Sequence, residues 1–257
     1  MTTTRKARTF WLAAGSIFAV VTLAVAAFNM VDALAQRDET FTQRYEGVSR
    51  VDLTMTSADV RIVATASPHV TVTAEVRHGL WAFEQDWGAE GDLLTVRGGC
   101  RFLGPLGDCR IRYLVEVPDT VDVTVRNSFG NIVLADLSGR VTISTTSGDI
   151  TAERLTGPAE FHNRFGDITA TALRSPGVEA TATSGDVRLA FAAEPETVDV
   201  TARHGSVDIV LPDTSATYRV DLSSEHGDTR SSVPSDPESA RTVTATVENG
   251  DVTVRHP

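Results

Sequence analysis

Hydrophobic and polar residues alternate along the chain from about residue 50 onward. Val51, Leu53 and Met55 are each followed by a polar residue. The same alternation returns at Val60/Ile62/Ala64, Val70/Val72/Ala74/Val76, Leu94/Val96, Ile111/Tyr113/Val115/Val117 and Val121/Val123/Val125. A period of two is typical of strands with one buried face. No stretch after residue 35 keeps a 3.6-residue period, so the sequence predicts an all-β domain.

A different pattern occupies the start of the chain, where 23 residues from Thr9 to Val31 carry no charge. As an α-helix this segment would span roughly 35 Å at about 1.5 Å per residue, enough for a hydrocarbon core of about 30 Å. Three basic residues precede the segment and an acid follows it. The positive-inside rule then predicts a cytoplasmic tail over 1–8, a transmembrane helix over 9–31 and a remainder outside the cell.

A cleaved signal peptide is the alternative, because Ala33-Leu34-Ala35 fits the small-residue pattern before a cut. The apolar segment is longer than a cleavable one usually is, and Asp32 stands just before the candidate site, which favours a retained helix. Both interpretations export the rest of the chain. The predicted protein is a single-pass cell-membrane protein with a polar linker over 32–47 and an extracellular domain over 48–257.

The extracellular domain contains a repeat, clearest over 127–257. The recurring unit is typically a small or polar residue, then Gly, then Asp or a substitute, then a β-branched residue. Its glycines, spaced by 18, 18, 19, 20, 22 and 23 residues, are Gly130, Gly148, Gly166, Gly185, Gly205, Gly227 and Gly250. Short alternating segments flank each glycine. Such spacing predicts a solenoid-like stack of short strands, of the β-helix or β-roll type.

Each residue of the repeated corner has a mechanical explanation. Gly adopts a positive φ without a Cβ clash, and Asp can accept a hydrogen bond from the backbone of its own corner. An early variant at Ser57-Ala58-Asp59-Val60 indicates that the repeat begins before the clear glycines. The sequence leaves two questions open. One is whether the solenoid has two or three faces. The other is whether residues 48–126 form a separate sandwich or the first layers of the same stack.

Composition and charge limit the classes of molecule that the protein is expected to bind. Aromatic residues make up only 6% of the chain, which suits thin β layers better than helical bundles. The formal charge is −11, and from residue 32 onward 20 arginines face 34 acids, which gives −14. An exported domain this acidic repels nucleic acids and anionic lipid head groups. The expected partners are the membrane, through the N-terminal helix, and an envelope protein or a polysaccharide; self-association by end-to-end stacking is a further expectation.

Three short motifs carry a resemblance: Thr146-Ser147-Gly148-Asp149-Ile150, Thr183-Ser184-Gly185-Asp186-Val187 and Leu211-Pro212. With them the chain resembles a bacterial putative-adhesin family of membrane-anchored β-strand-repeat proteins of unknown function, frequent in actinobacteria. The resemblance covers about residues 48–255. It implies a surface-exposed, solenoid-like β domain and no catalytic residues. The sequence departs from the pattern at Ser206, where the family has Asp.

Cys100 and Cys109 are the two cysteines of the chain. They bracket a Gly-Pro turn between two strand-like segments. In an exported protein this spacing predicts a disulfide across a hairpin. A redox-active pair would normally show closer spacing and a helix start.

The most aromatic stretch outside the N-terminal segment contains Trp81, Phe83 and Trp87. Exposed aromatic side chains often anchor interfaces, so these three form a candidate contact patch. The competing interpretation is a plug over the open end or flank of the β stack, which a solenoid requires. The plug is favoured.

Candidate chemistry is limited to the corners. His204 and His226 stand at matching corners of units that follow each other in the sequence, which would place them close together, with Glu225 and Asp228 as further metal ligands. The corner acids Asp149, Asp167, Asp186, Asp228 and Asp251 would form a column about 5 Å apart that calcium could neutralise. Turn chemistry is the favoured explanation for both sets, and we expect no metal and no cofactor.

The sequence contains none of the common hydrolase, metalloprotease, dinucleotide or phosphate-loop motifs. The favoured function is therefore a non-catalytic cell-envelope surface protein, an adhesin or a scaffold, and not an enzyme. The alternative is the ectodomain of a signalling or regulatory membrane complex, although an eight-residue tail leaves no room for an effector domain. A polysaccharide-acting enzyme is the third and least favoured interpretation.

Overall fold

The computed structural model describes residues 3–78, 83–100 and 109–257; within the helix, side chains are described at residue 16 and from residue 18 onward except at residue 32. Within these ranges one helix, α1 (Thr3–Leu34), precedes twenty-one strands. The strands are β1 (Arg37–Tyr45), β2 (Arg50–Ser57), β3 (Asp59–Thr65), β4 (Val70–His78), β5 (Phe83–Glu90), β6 (Leu93–Cys100), β7 (Cys109–Pro118), β8 (Asp122–Phe129), β9 (Ile132–Ala135), β10 (Val141–Ser147), β11 (Ile150–Glu153), β12 (Ala159–Phe165), β13 (Ile168–Leu173), β14 (Gly177–Ser184), β15 (Val187–Phe191), β16 (Thr197–His204), β17 (Val207–Val210), β18 (Arg219–His226), β19 (Thr229–Ser231), β20 (Thr242–Asn249) and β21 (Val252–Arg255). The predicted all-β domain is confirmed.

The strands form two sheets that face each other. Sheet 1 has the order β1-β4-β7-β3-β9-β11-β13-β15-β17-β21-β19, and sheet 2 has the order β18-β20-β16-β14-β12-β10-β8-β2-β6-β5. Each repeat gives one strand to each sheet, and we call such a pair, joined at its corner, a layer. The solenoid therefore has two faces. The segment 48–126 joins the same two sheets, so it belongs to the same stack.

The core lies between the sheets and is built from columns of similar apolar residues. Ile150 pairs in parallel register with Ile132 on one side and with Ile168 on the other. All three side chains are buried. Because side chains alternate between the two faces of a strand, parallel in-register pairing puts every apolar position of one unit over the same position of the next. The period of two in the sequence thus becomes a continuous core.

The spatial order of the last layers differs from their order in the sequence. The β20/β21 layer lies between β16/β17 and β18/β19, so the last unit of the chain is inserted and the unit before it ends the stack. Val252 and Val254 of β21 are fully buried. Thr229 and Ser231, their partners in β19, are exposed. The apolar unit occupies the position with neighbours on both sides, and the polar unit occupies the end.

The opposite end of the stack is closed by antiparallel strands. Within sheet 1, β4 pairs antiparallel with both β1 and β7, and in sheet 2 β5 pairs antiparallel with β6. Residues 37–45, inside the predicted polar linker, thus form the edge strand β1. On β5, Phe83 and Trp87 are partly buried and pack against the core, which agrees with the predicted plug. Trp81, the third residue of the candidate patch, lies outside the described residues.

Tyr113 of β7 shows how this end is packed. Its ring lies 6.2 Å from the ring of Trp87 in an edge-on arrangement. A Cβ atom on Gly98 would overlap the Tyr113 hydroxyl, so the glycine makes room for it. Burial raises the pKa of Tyr113.

Helix α1 includes the apolar segment 9–31 that was predicted to cross a membrane. In the described part of the chain, no helix combines the length and the apolar character that a membrane crossing requires. The predicted transmembrane helix is not supported by this finding.

Candidate functional site

The most regular feature of the surface is the edge where the chain turns from sheet 2 into sheet 1, which we call the corner edge. The seven corner glycines lie along it. Six of them have φ between +116° and +147°, a region that side chains with a Cβ rarely adopt. Gly227, in the terminal layer, is not among these six. The prediction that the corner glycines adopt a positive φ therefore holds for these six and not for Gly227.

Close approach between layers is a second reason for glycine at these positions. A Cβ atom on Gly148 would overlap the carbonyl oxygen of Gly130, and one on Gly166 would overlap that of Gly148. The same holds at the other corners, including Gly227 against Gly250. The corner glycines therefore let neighbouring layers come within backbone contact.

The corner acids bond between layers, which differs from the expected bond within their own corner. Asp149 Oδ1 accepts a hydrogen bond from the backbone N–H of Asp167, at 3.0 Å. We call the whole series the carboxylate ladder; its side-chain acceptors are Asp59, Asn131, Asp149, Asp167, Asp186 and Asp251. Each accepts from the matching N–H one layer further along, over 2.8–3.0 Å. Ser206 has no carboxylate, and the series resumes at Asp251.

A second column at the corner edge consists of the residues that precede the corner position. Its members, in spatial order, are Ser57, Phe129, Ser147, Phe165, Ser184, His204, Asn249 and His226. We call it the ring column, because a ring side chain occurs in every second layer. Phe129 and Phe165 are 56% and 52% exposed.

The order of the last layers overturns the expectation that His204 and His226 are neighbours. Asn249 lies between them, paired with both. The Asn249 side-chain nitrogen is 3.2 Å from His204 Nδ1. Among the described residues no group of three or more His, Cys, Asp or Glu side chains is arranged to hold a metal ion.

Cys100 and Cys109 form the predicted disulfide. The bridge does not cross a hairpin, because β6 belongs to sheet 2 and β7 to sheet 1. It therefore ties the two sheets together at the corner edge. In this layer a covalent bond joins the ends of the two strands, where seven other layers have a corner glycine and the β2/β3 layer has Ala58.

Sequence reasoning missed a short buried polar column beside the corners. Asn127, Thr145 and Asn163 occupy three successive layers and are all buried. Asn127 Nδ2 donates to the Ala58 carbonyl oxygen at 2.8 Å, and Asn163 Nδ2 donates to that of Gly148 at 2.9 Å. These bonds tie the inner side of one layer to the corner of the next. The sequence signal for this column was an Asn three residues before a corner glycine, as at Asn127 and Asn163.

Exposed ion pairs also connect layers. Arg154 contacts Asp136 at 2.6 Å, and Arg50 contacts Asp92 at 2.7 Å. Hydrogen bonds from the guanidinium groups hold the pKa values of both carboxyl groups below their usual range. Because all four side chains are about half exposed, solvent screens these pairs and they add little stability.

Comparison with known proteins adds a family to this description. Residues 107–255 match the Toastrack DUF4097 domain family, which covers more than half of the chain. No curated protein matches the chain. The actinobacterial type and the membrane anchor, which the sequence resemblance implied, stay predictions.

Several solved structures resemble this fold distantly. A "putative cell adhesion protein" from Clostridium sporogenes aligns at 10% identity and a TM-score of 0.39, covering 86% of this chain and all of its own. A "putative adhesin" from Parabacteroides merdae aligns at 11% identity and a TM-score of 0.43, covering 86% of this chain and 96% of its own. A "putative lipid binding protein" from Parabacteroides distasonis aligns at 12% identity and a TM-score of 0.36, covering 85% of this chain and 96% of its own. Similarity at this level supports no conclusion about ligand or function.

Proposed function

The chain belongs to the Toastrack DUF4097 family, and from this premise we propose that it is a non-catalytic surface module, an adhesin or scaffold, acting outside the cytoplasm. The observation that carries the proposal is the corner edge. Layer after layer, it presents equivalent side chains in register over two continuous sheets. Repetitive surfaces of this kind suit the binding of extended partners, as in other solenoid proteins.

The recurring acids have a structural explanation that competes with a catalytic one. One carboxylate oxygen of Asp149, Asp167 and Asp186 is engaged by the backbone of the next layer. These carboxylates lie on an exposed edge. Catalytic acids and bases instead depend on burial or close charged neighbours to adjust their pKa values. The ladder thus favours a role in stacking the layers.

The disulfide supports placement outside the cytoplasm. Cys100 and Cys109 are bonded to each other, and structural disulfides form and persist in oxidising compartments. Single-pass attachment through residues 9–31 is a separate prediction from the sequence. Alkaline extraction of membranes from cells that express the full chain tests it.

The proposal is tested in intact cells with the full-length chain. A membrane-impermeant reagent labels the protein on unbroken cells, and chemical cross-linking followed by isolation of the envelope identifies what the module contacts. We expect surface labelling, an oxidised Cys100–Cys109 pair and retention by the envelope. Protection from the reagent, together with two free thiols, would overturn the proposal.

A further inference from the structure

The ring column alternates without exception over eight layers. In spatial order a small polar residue is followed by a ring, from Ser57 and Phe129 to Asn249 and His226. The alternation exists only because β20 lies between β16 and β18. In sequence order His204 and His226 would adjoin and the period would break. The layer order therefore produces one ring for every two layers along the whole column.

The four rings form an exposed, evenly spaced row. Phe129 and Phe165 are more than half exposed, and His204 and His226 are also exposed. Neighbouring strands are about 4.8 Å apart, so successive rings are about 9.6 Å apart and the row is about 29 Å long. Exposed hydrophobic side chains that are arranged together often mark a binding site.

Hydrogen-bond acceptors flank the row of rings. The ladder uses the Oδ1 atoms of Asp149, Asp167 and Asp186, which leaves their Oδ2 atoms outside the ladder. Carboxylates accept hydrogen bonds and do not donate them. The same carboxylates repel anions along the edge. A partner that fits this edge is therefore rich in hydrogen-bond donors and is uncharged or positively charged. It is also extended, with a structural repeat that matches the distance between every second layer.

We propose that the ring column binds an extended, uncharged β-linked polysaccharide, an inference that rests on the proposed surface function and names its ligand class. The C–H faces of sugar rings pack on aromatic rings, whose faces carry negative partial charge. Sugar hydroxyls donate to the flanking carboxylates. In an extended β-1,4-linked chain, alternate sugars are turned over, so the same face recurs every second sugar, as the rings recur every second layer.

A proline-rich peptide is the main competitor. Three residues of polyproline II span about 9.3 Å, which also matches the spacing of the rings. Proline lacks a backbone N–H, however, so such a segment offers few donors to a row of carboxylates. The acceptor-rich flank favours the polysaccharide.

The test is calorimetric titration of the full-length chain, kept in detergent, with cellohexaose and chitohexaose. We expect at least one of these hexasaccharides to bind, and its disaccharide to bind at least tenfold more weakly because it reaches one ring. The double variant F129L/F165L keeps apolar volume but removes both rings, and we expect at least a tenfold loss of affinity with an unchanged melting temperature. Leu114→Ala, which removes a partly exposed apolar side chain on sheet 1, is the matched control and should bind normally.

Three results would overturn the inference: no binding of either hexasaccharide, equal binding by F129L/F165L, or binding of decaproline that F129L/F165L abolishes. Maltohexaose, whose α-linked chain coils, should not bind. If the hexasaccharides fail while the chain is still labelled at the surface and retained by the envelope, the ligand assignment is wrong and the surface function stands. If the chain is also protected from the membrane-impermeant reagent and carries two free thiols, both proposals are wrong.

Discussion

Asp149 and Asp167, eighteen residues apart in the chain, are joined by a 3.0 Å hydrogen bond from the Asp167 backbone N–H to Asp149 Oδ1. The two residues occupy the same corner position in adjacent layers. Backbone hydrogen bonds join the two layers on either side of this position, from Gly148 N–H to the Phe165 carbonyl and from Ile150 N–H to the Asp167 carbonyl. The Asp149 side chain supplies the acceptor for the N–H between them. This relationship explains why an acid or its amide recurs after the corner glycine.

Replacing Asp149 with Ala should lower the free energy of unfolding by about 1 kcal/mol, because the Asp167 N–H loses its acceptor. Asp149→Asn keeps an acceptor oxygen, as Asn131 does naturally one layer away, and should stay near wild-type stability. Urea denaturation of the three proteins measures the difference. Equal losses for Ala and Asn would show that charge matters and the hydrogen bond does not.

Replacing Gly166 with Ala should destabilise the fold by more than 2 kcal/mol. The residue has φ +129°, and its new Cβ would meet the backbone of Gly148. Gly177→Ala is the control, because no atom lies within 4 Å of a Cβ there. It should change stability by less than about 0.5 kcal/mol. The prediction fails if both variants melt at the same temperature.

Removing the disulfide with Cys100→Ser and Cys109→Ser together should cost roughly 2–3 kcal/mol on the chain-entropy account, since the bridge closes a short loop between two sheets. The double variant should lose the sensitivity to reductant that the native protein shows in thermal melting. Hexasaccharide binding should be unaffected, because the ring column lies in other layers. A reductant-insensitive native protein would contradict the structural role.

The order of the last layers predicts that substitutions at two paired positions affect stability differently. Thr229 and Val252 are register partners, but only Val252 is buried. Val252→Thr should therefore cost about 1–3 kcal/mol, because it places a hydroxyl in the core. Thr229→Val, at the exposed end layer, should cost nothing measurable. A cost near zero for Val252→Thr would contradict the burial of the β20/β21 layer between two neighbours.

Much of the architecture follows from the sequence alone. Period-two alternation, as at Val51, Leu53 and Met55, determined which residues face the core, because side chains of a strand point to opposite faces. The glycine spacing determined where the chain turns, because residues with a Cβ atom rarely adopt the positive φ of the six corners. The disulfide between Cys100 and Cys109 followed from their spacing and predicted compartment.

Only the tertiary structure decided which unit lies on which. Parallel pairing uses backbone groups that every unit shares, so the local pattern cannot rank the neighbours of a layer. The choice depends on burial: a layer with Val252 and Val254 gains more between two neighbours than a layer with Thr229 and Ser231 does. That order separates His204 from His226, and it completes the alternation of rings along the corner edge.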